Sequence, residues 1–190
     1  MNKINKKRVE RLSFFVYSVY KIRDGDFMKI GIISDSHDHH ANVLKAVEIF
    51  KEQQVGYILH AGDIVSPFTA TAFSAVENAK FIAVFGNNDG EKFMLRSAID
   101  SFGGQIHNDP WHGQIAGKKF YMTHKPKTVD DAISSGNYDI VIYGHTHIKD
   151  IRMAGKTLVI NPGESTDWIC GKGHIVILDT ENLETTEVEL

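Results

Sequence analysis

The chain has one cysteine, four prolines and no long apolar run. A single cysteine, Cys170, cannot close an internal disulfide, so a disulfide scaffold is excluded and a reducing, cytoplasmic compartment is expected. The apolar run from Leu12 to Tyr20 is nine residues, broken by Ser13 and Ser18, where a membrane span needs about 20. Nor is there an excess of positive charge. The net charge is −3, so no chain-wide basic field draws the chain to nucleic acid. What is present suits an ordinary globular protein. The 190 residues, 42% hydrophobic and 24% charged, allow one domain, and there are ten histidines.

Residues 1–27 differ from the rest. They carry seven Lys/Arg against three acids, which leaves −7 on residues 28–190. Lys21-Ile22-Arg23-Asp24 stands where a secretory signal would need small residues. Export is therefore disfavoured, and residues 1–27 are taken as an N-terminal extension of uncertain status. The preferred reading is an over-long frame with Met28 as the working start, because the first buried-strand pattern begins there.

From Met28 onward the hydrophobic period alternates between two and 3.6 residues. Strands are expected at Lys29–Ile33, Tyr57–Leu59 and Phe81–Phe85, and helices at Asn42–Lys51, Thr69–Val76 and Lys92–Phe102. That alternation implies a parallel α/β core. The second half shows shorter, closely spaced strands: Lys118–Thr123, Asp139–Tyr143, Ile148–Met153, Thr157–Ile160, His174–Leu178 and Thr185–Glu189, with a short helix at Val129–Ser135. They imply an antiparallel or mixed sheet, so that the two halves form two sheets of one domain.

Chemistry-bearing residues stand where these strands end. Asp35 and His37 follow the first strand, Asp63 the second, Asn87 and Asp89 the third. His124 follows Phe120-Tyr121-Met122-Thr123, and His145 and His147 follow Ile140-Val141-Ile142-Tyr143. Open α/β sheets bind ligands beyond the carboxyl ends of their strands. In an extended segment residues i and i+2 share a face, so Asp35/His37 and His145/His147 are each expected to present a pair to one place. The Asp/His/Asn mixture suits Mn²⁺, Ni²⁺, Fe²⁺, Co²⁺ or Zn²⁺, and the lack of cysteine argues against a thiolate zinc site. Seven donors exceed a closed tetrahedral site and fit two metals sharing a bridge, the arrangement used for phosphoryl transfer to water.

Asp35-Ser36-His37, Gly62-Asp63, Gly86-Asn87-Asn88-Asp89, His124 and Gly144-His145-Thr146-His147 occur in the order and spacing of the calcineurin-like metallophosphoesterase superfamily. Residues 28–190 resemble its small single-domain phosphodiesterases from archaea and bacteria. The resemblance implies an α/β fold, a two-sheet sandwich flanked by helices. It implies Asp35, His37 and His147 on one metal, Asn87, His124 and His145 on the other, and Asp63 as the bridge. It further implies two divalent ions, Mn²⁺ first among those named. The implied activity is hydrolysis of a small phosphodiester by in-line attack of a metal-bridging hydroxide.

Two positions depart from the family pattern. Asn88 stands where many relatives have a histidine that assists the leaving group. A carboxamide is no acid at neutral pH, so Asn88 is assigned substrate positioning, Asp89 a loop brace, and His39 or His40 is offered as the replacement acid. His124-Lys125-Pro126 stands where many relatives have His-Gly-His, which makes Lys125 a candidate contact for substrate phosphate. The alternatives are a phosphatase acting on phosphomonoesters or dinucleoside polyphosphates, and a protein-binding scaffold like the retromer subunit that shares this fold. Neither a membrane nor nucleic acid is expected as partner; a homo-oligomer is left open. His60, His107, His112 and His174 are read as structural, and Asn161, in the turn Asn161-Pro162-Gly163, as a residue behind the metals.

Overall fold

Short β-branched runs pleat into strands whose side chains alternate between two faces, and here both faces are buried. The computed structural model describes residues 27–190. In chain order they form β1 (Lys29–Ile33), α1 (His40–Glu52), β2 (Tyr57–His60), α2 (Pro67–Ala70), β3 (Lys80–Val84), α3 (Lys92–Asp100), β4 (Gln105–His107), β5 (Trp111–Ile115), β6 (Lys118–Met122), α4 (Val129–Ser135), β7 (Ile140–Ile142), β8 (Asp150–Ala154), β9 (Thr157–Asn161), β10 (His174–Asp179) and β11 (Thr185–Glu189). The extension expected over residues 1–27 falls almost wholly outside the described residues. No helix among them is long and apolar enough to cross a membrane.

One sheet has the order β11-β10-β1-β2-β3-β4 and the other β5-β6-β7-β9-β8. β1 to β4 run parallel, as do β6, β7 and β9. Their carboxyl ends carry the loops in which the candidate donors lie. Between the sheets Ile30, Ile32, Leu59 and Val84 meet Phe120, Met122, Ile140 and Ile160. The opposite face of the first sheet packs Ile33, Ile58 and Phe81 against Val43, Val47 and Phe50 of α1 and Leu95 and Ile99 of α3. The opposite face of the second packs Tyr121, Val141 and Val159 against Val129 and Ala132 of α4. The layers are helix, sheet, sheet, helix, the two-sheet sandwich expected from the resemblance.

Phe120 has no exposed surface and sits between the two sheets. Phe120→Ala is expected to cost about 3–5 kcal/mol, lost transfer energy plus an unfilled cavity. Urea unfolding measures it, and a loss under about 1 kcal/mol would mean the sheets are not packed through this ring.

Several expectations are corrected. The two halves of the sequence are not the two sheets: β10 pairs antiparallel with β1 through Ile30↔Leu178 and Ile32↔Val176, carrying β11 with it into the first sheet. The free edge of β1 needed a partner, and hydrophobic pattern does not say which strand supplies it. β4 and β5 were not expected. β4 is only three residues, and β5 contains His112, Gly113 and Gln114, which mask its period. The helix expected at Thr69–Val76 begins at Pro67, capped by the Ser66 hydroxyl, and tightens to a 3₁₀ helix over Thr71–Ala75. The strand expected from Ile148 starts at Asp150.

Candidate metal centre

The loops beyond β1, β2, β6 and β7 converge. Asp35, His37 and His147 form one trio whose donor atoms lie within 4.8 Å of one another, and Asp63, His124 and His145 form a second. Asp35 and His37 share one trio, whereas His145 and His147 do not pair as extended geometry implies. Asp35, His37, Asp63, His145 and His147 all have left-handed backbones, with φ of 51°, 39°, 58°, 70° and 62°. Such conformations are costly for side chains with a Cβ and recur at functional sites. They turn the chain so sharply that His145 and His147 join different trios rather than one.

Two glycines permit the approach. A Cβ on Gly86 would lie 2.1 Å from Asp63 Oδ1 and 2.3 Å from its backbone nitrogen. A Cβ on Gly144 would lie 2.0 Å from Ser34 Oγ and 2.7 Å from Asp35 Oδ2. In both motifs the glycine therefore leaves room for a carboxylate.

Each carboxylate is fixed by donors. Asp35 Oδ2 accepts from the Ser34 hydroxyl at 2.6 Å and from the His145 N–H at 2.9 Å. Burial pushes the Asp35 carboxyl up from its ordinary value, against the pull of those bonds. At Asp63 burial also acts upward, but His124 and Asn88 outweigh it and hold the carboxyl well below the usual range. Asn88 grips both oxygens, its backbone N–H donating to Oδ1 at 2.7 Å and its side-chain amide to Oδ2 at 2.8 Å. Asp89 braces the loops, accepting from the N–H groups of Gly86, Asp63 and Val65.

The imidazoles are equally constrained. His124 Nδ1 lies 2.9 Å from the Ala61 carbonyl, which only accepts, so Nδ1 carries the proton and Nε2 is left as a lone-pair donor. His147 Nδ1 lies 2.9 Å from Glu164 Oε2, which likewise frees its Nε2. That Nε2 lies 3.2 Å from His37 Nε2 and 3.5 Å from Asp35 Oδ1. Two imidazole nitrogens and a carboxylate oxygen thus converge on one place, as donors to a shared cation would. Asn87 Oδ1 stands 3.0 Å from His124 Nε2, at the other trio. Nitrogen and oxygen donors without thiolate fit borderline divalent ions, so the residues present suit the metals expected. Burial lowers His145 from its ordinary value, and the neighbouring His124 and Lys125 add to the effect.

Other residues fall around the centre. His60 is buried behind it, accepting from the Gly62 N–H and contacting Ser36 Oγ at 3.1 Å, and burial lowers it to about 3. Asn161 ties the turn to the Gly144 carbonyl and Thr146 hydroxyl. His39 Nδ1 caps α1 by accepting from the Asn42 N–H, while its Nε2 faces Asp167 Oδ1 at 3.6 Å.

Sequence reasoning missed Glu164. Its carboxylate is fully buried and accepts from His147 Nδ1 and Thr166 Oγ1 at Oε2 and from the Ile169 and Cys170 N–H groups at Oε1. Though burial alone would raise it, these bonds hold it near 2 against an ordinary 4.5. In sequence it is one acid beside a turn, and only its position just after Asn161-Pro162-Gly163 hinted at the centre.

Residues 28–183 match the family model described as the calcineurin-like phosphoesterase superfamily domain. The chain belongs to this superfamily. Phosphodiesterase MJ0936 of Methanocaldococcus jannaschii is 43% identical over 166 residues, covering 86% of this chain and 99% of that protein. A solved archaeal phosphodiesterase with 43% identity superposes with a TM-score of 0.82 over 86% of this chain and all of the other. Vacuolar protein sorting 29 from Cryptosporidium parvum, at 17% identity, shares the fold with a TM-score of 0.60 over 86% of this chain and 97% of its own. The calcineurin-like superfamily is hydrolytic, and the present member is a phosphoesterase with two candidate metal sites.

Proposed function

We propose that this phosphoesterase is a cytoplasmic, dinuclear-metal phosphodiesterase acting on a small phosphodiester, with residues 28–190 as its catalytic unit. The observation that carries the reading is the place of Asp63 between the trios: its Oδ2 lies 3.7 Å from His37 Nε2 and 3.3 Å from His124 Nε2. Asp35, His37 and His147 would hold one ion, Asn87, His124 and His145 the other, and Asp63 both. Bound there, two divalent ions (Mn²⁺ first, with Ni²⁺, Fe²⁺, Co²⁺ or Zn²⁺ as alternatives) would polarise the phosphoryl oxygens and lower the pKa of the attacking water for in-line displacement. The 43% identity to a phosphodiesterase supports the diester class.

The chain's own residues do the rest. Asn88 steadies the Asp63 carboxylate and leaves its exposed amide edge for a phosphate oxygen. Lys125, exposed beside His145, offers an ammonium to the same anion. The Nε2 of His39 is assigned proton donation to the leaving oxygen. Without a stronger acid at position 88, poor leaving groups depart slowly. Manganese-reconstituted enzyme is expected to bind about two ions per chain and to cleave bis(p-nitrophenyl) phosphate faster than a serine phosphate peptide. Equal or reversed rates reject the diester reading, and absence of bound metal rejects the centre itself. The fold shared with vacuolar protein sorting 29 raises the scaffold alternative, against which the complete donor set weighs.

A further inference from the structure

Trp168 is 62% exposed, yet its position is closely held. Its ring lies 6.0 Å from the ring of His37, tilted by 31°, and 6.1 Å from that of His39. Its backbone belongs to the segment clamped by Glu164, whose Oε1 accepts from the next two N–H groups at 2.8 and 2.6 Å. The other oxygen of the same carboxylate orients His147. One buried side chain thus orients a candidate metal donor and clamps the backbone just after the exposed indole. Cys170 Sγ donates to the His147 carbonyl at 3.3 Å and ties the same segment to the loop that carries this candidate donor.

An uncharged aromatic plane offers nothing to a phosphate. It does offer a face to a flat ring, 6.0 Å from the His37 ring and so next to where the candidate donors would take the phosphoryl group. Stacking of a base on an aromatic side chain is strong and tolerant of which base is present. We propose that Trp168 is a stacking platform for a flat aromatic arm, aryl or nucleobase, of the phosphodiester. It is a specificity-determining residue, and the proposal rests on the phosphodiesterase reading above.

The test is calorimetric binding to the full chain loaded with Mn²⁺, using adenosine 5′-monophosphate, phenyl phosphate, ribose 5-phosphate and inorganic phosphate. At least one aromatic ligand is expected to bind roughly tenfold more tightly than ribose 5-phosphate. Adenosine monophosphate alone having the advantage identifies a nucleobase; phenyl phosphate sharing it identifies any flat ring. Trp168→Ala is expected to make aromatic and non-aromatic ligands bind alike, and Trp168→Phe to retain much of the difference. No preference in the unaltered protein, or a preference that survives Trp168→Ala, overturns the proposal. Hydrolysis of bis(p-nitrophenyl) phosphate by the same unaltered preparation is read separately. A preference dependent on Trp168 without hydrolysis supports the platform and overturns the phosphodiesterase reading. Hydrolysis without the preference does the reverse.

Discussion

Asp63→Asn is expected to lower kcat/KM on bis(p-nitrophenyl) phosphate by more than about a hundredfold and to reduce bound Mn²⁺ below two per chain. Changes to groups that merely orient a metal ligand cost about 10–100-fold, and Asp63 is placed to contact both ions directly. Its carboxylate faces His37 and His124 through one oxygen and accepts from Asn88 through both. A carboxamide of the same shape has only one accepting oxygen, and its NH₂ must confront either an Asn88 donor or a cation. The loss should therefore appear in metal content as well as turnover. Metal analysis with steady-state kinetics checks it, and circular dichroism shows whether the variant still folds. A folded Asp63→Asn protein with ordinary metal content and turnover would remove the bridge from the proposal.

Glu164→Gln comes next. It removes none of the seven candidate donors, yet Mn²⁺ affinity is expected to fall about 10–100-fold, with most of kcat returning at saturating metal. All four groups on the Glu164 carboxylate are placed to donate: His147 Nδ1, Thr166 Oγ1 and the N–H groups of Ile169 and Cys170. A glutamine must turn its NH₂ to one side. Toward His147 it would favour the tautomer protonated on Nε2, which cannot ligate. Toward residues 169 and 170 it would oppose two backbone donors and loosen the segment that carries Trp168. Activity titrated with Mn²⁺, together with the imidazole tautomer read by NMR, distinguishes this from general damage. An unchanged Mn²⁺ dependence would leave Glu164 as packing only.

These two residues differ in how far their sequence context reveals them. Asp63 follows a strand pattern and a glycine, in step with Asp35, Asn87, His124 and His145, so its chemistry could be read from order and spacing. Glu164 follows a turn and precedes Ser165 and Thr166, with no period around it; an acid there looks solvated until the fold buries it. Trp168 is similar, since an indole among Asp167 and Ile169 has no sequence mark distinguishing a platform from a core ring.

The same contrast runs through the whole chain. Local chemistry was enough to announce the alternating strands and helices, the parallel core and the family motifs. Side-chain period and strand-end placement are properties of neighbours along the chain, a few residues apart. The joining of β10 to β1, the left-handed turns that aim His145 and His147 apart, and the Glu164 clamp came only with the tertiary structure. Each depends on which edge of a sheet is free, how a left-handed turn aims an imidazole, or how deeply an acid is covered. Such matters bring together residues 29 and 179, or 37 and 147, and are decided by packing between segments that no local pattern connects.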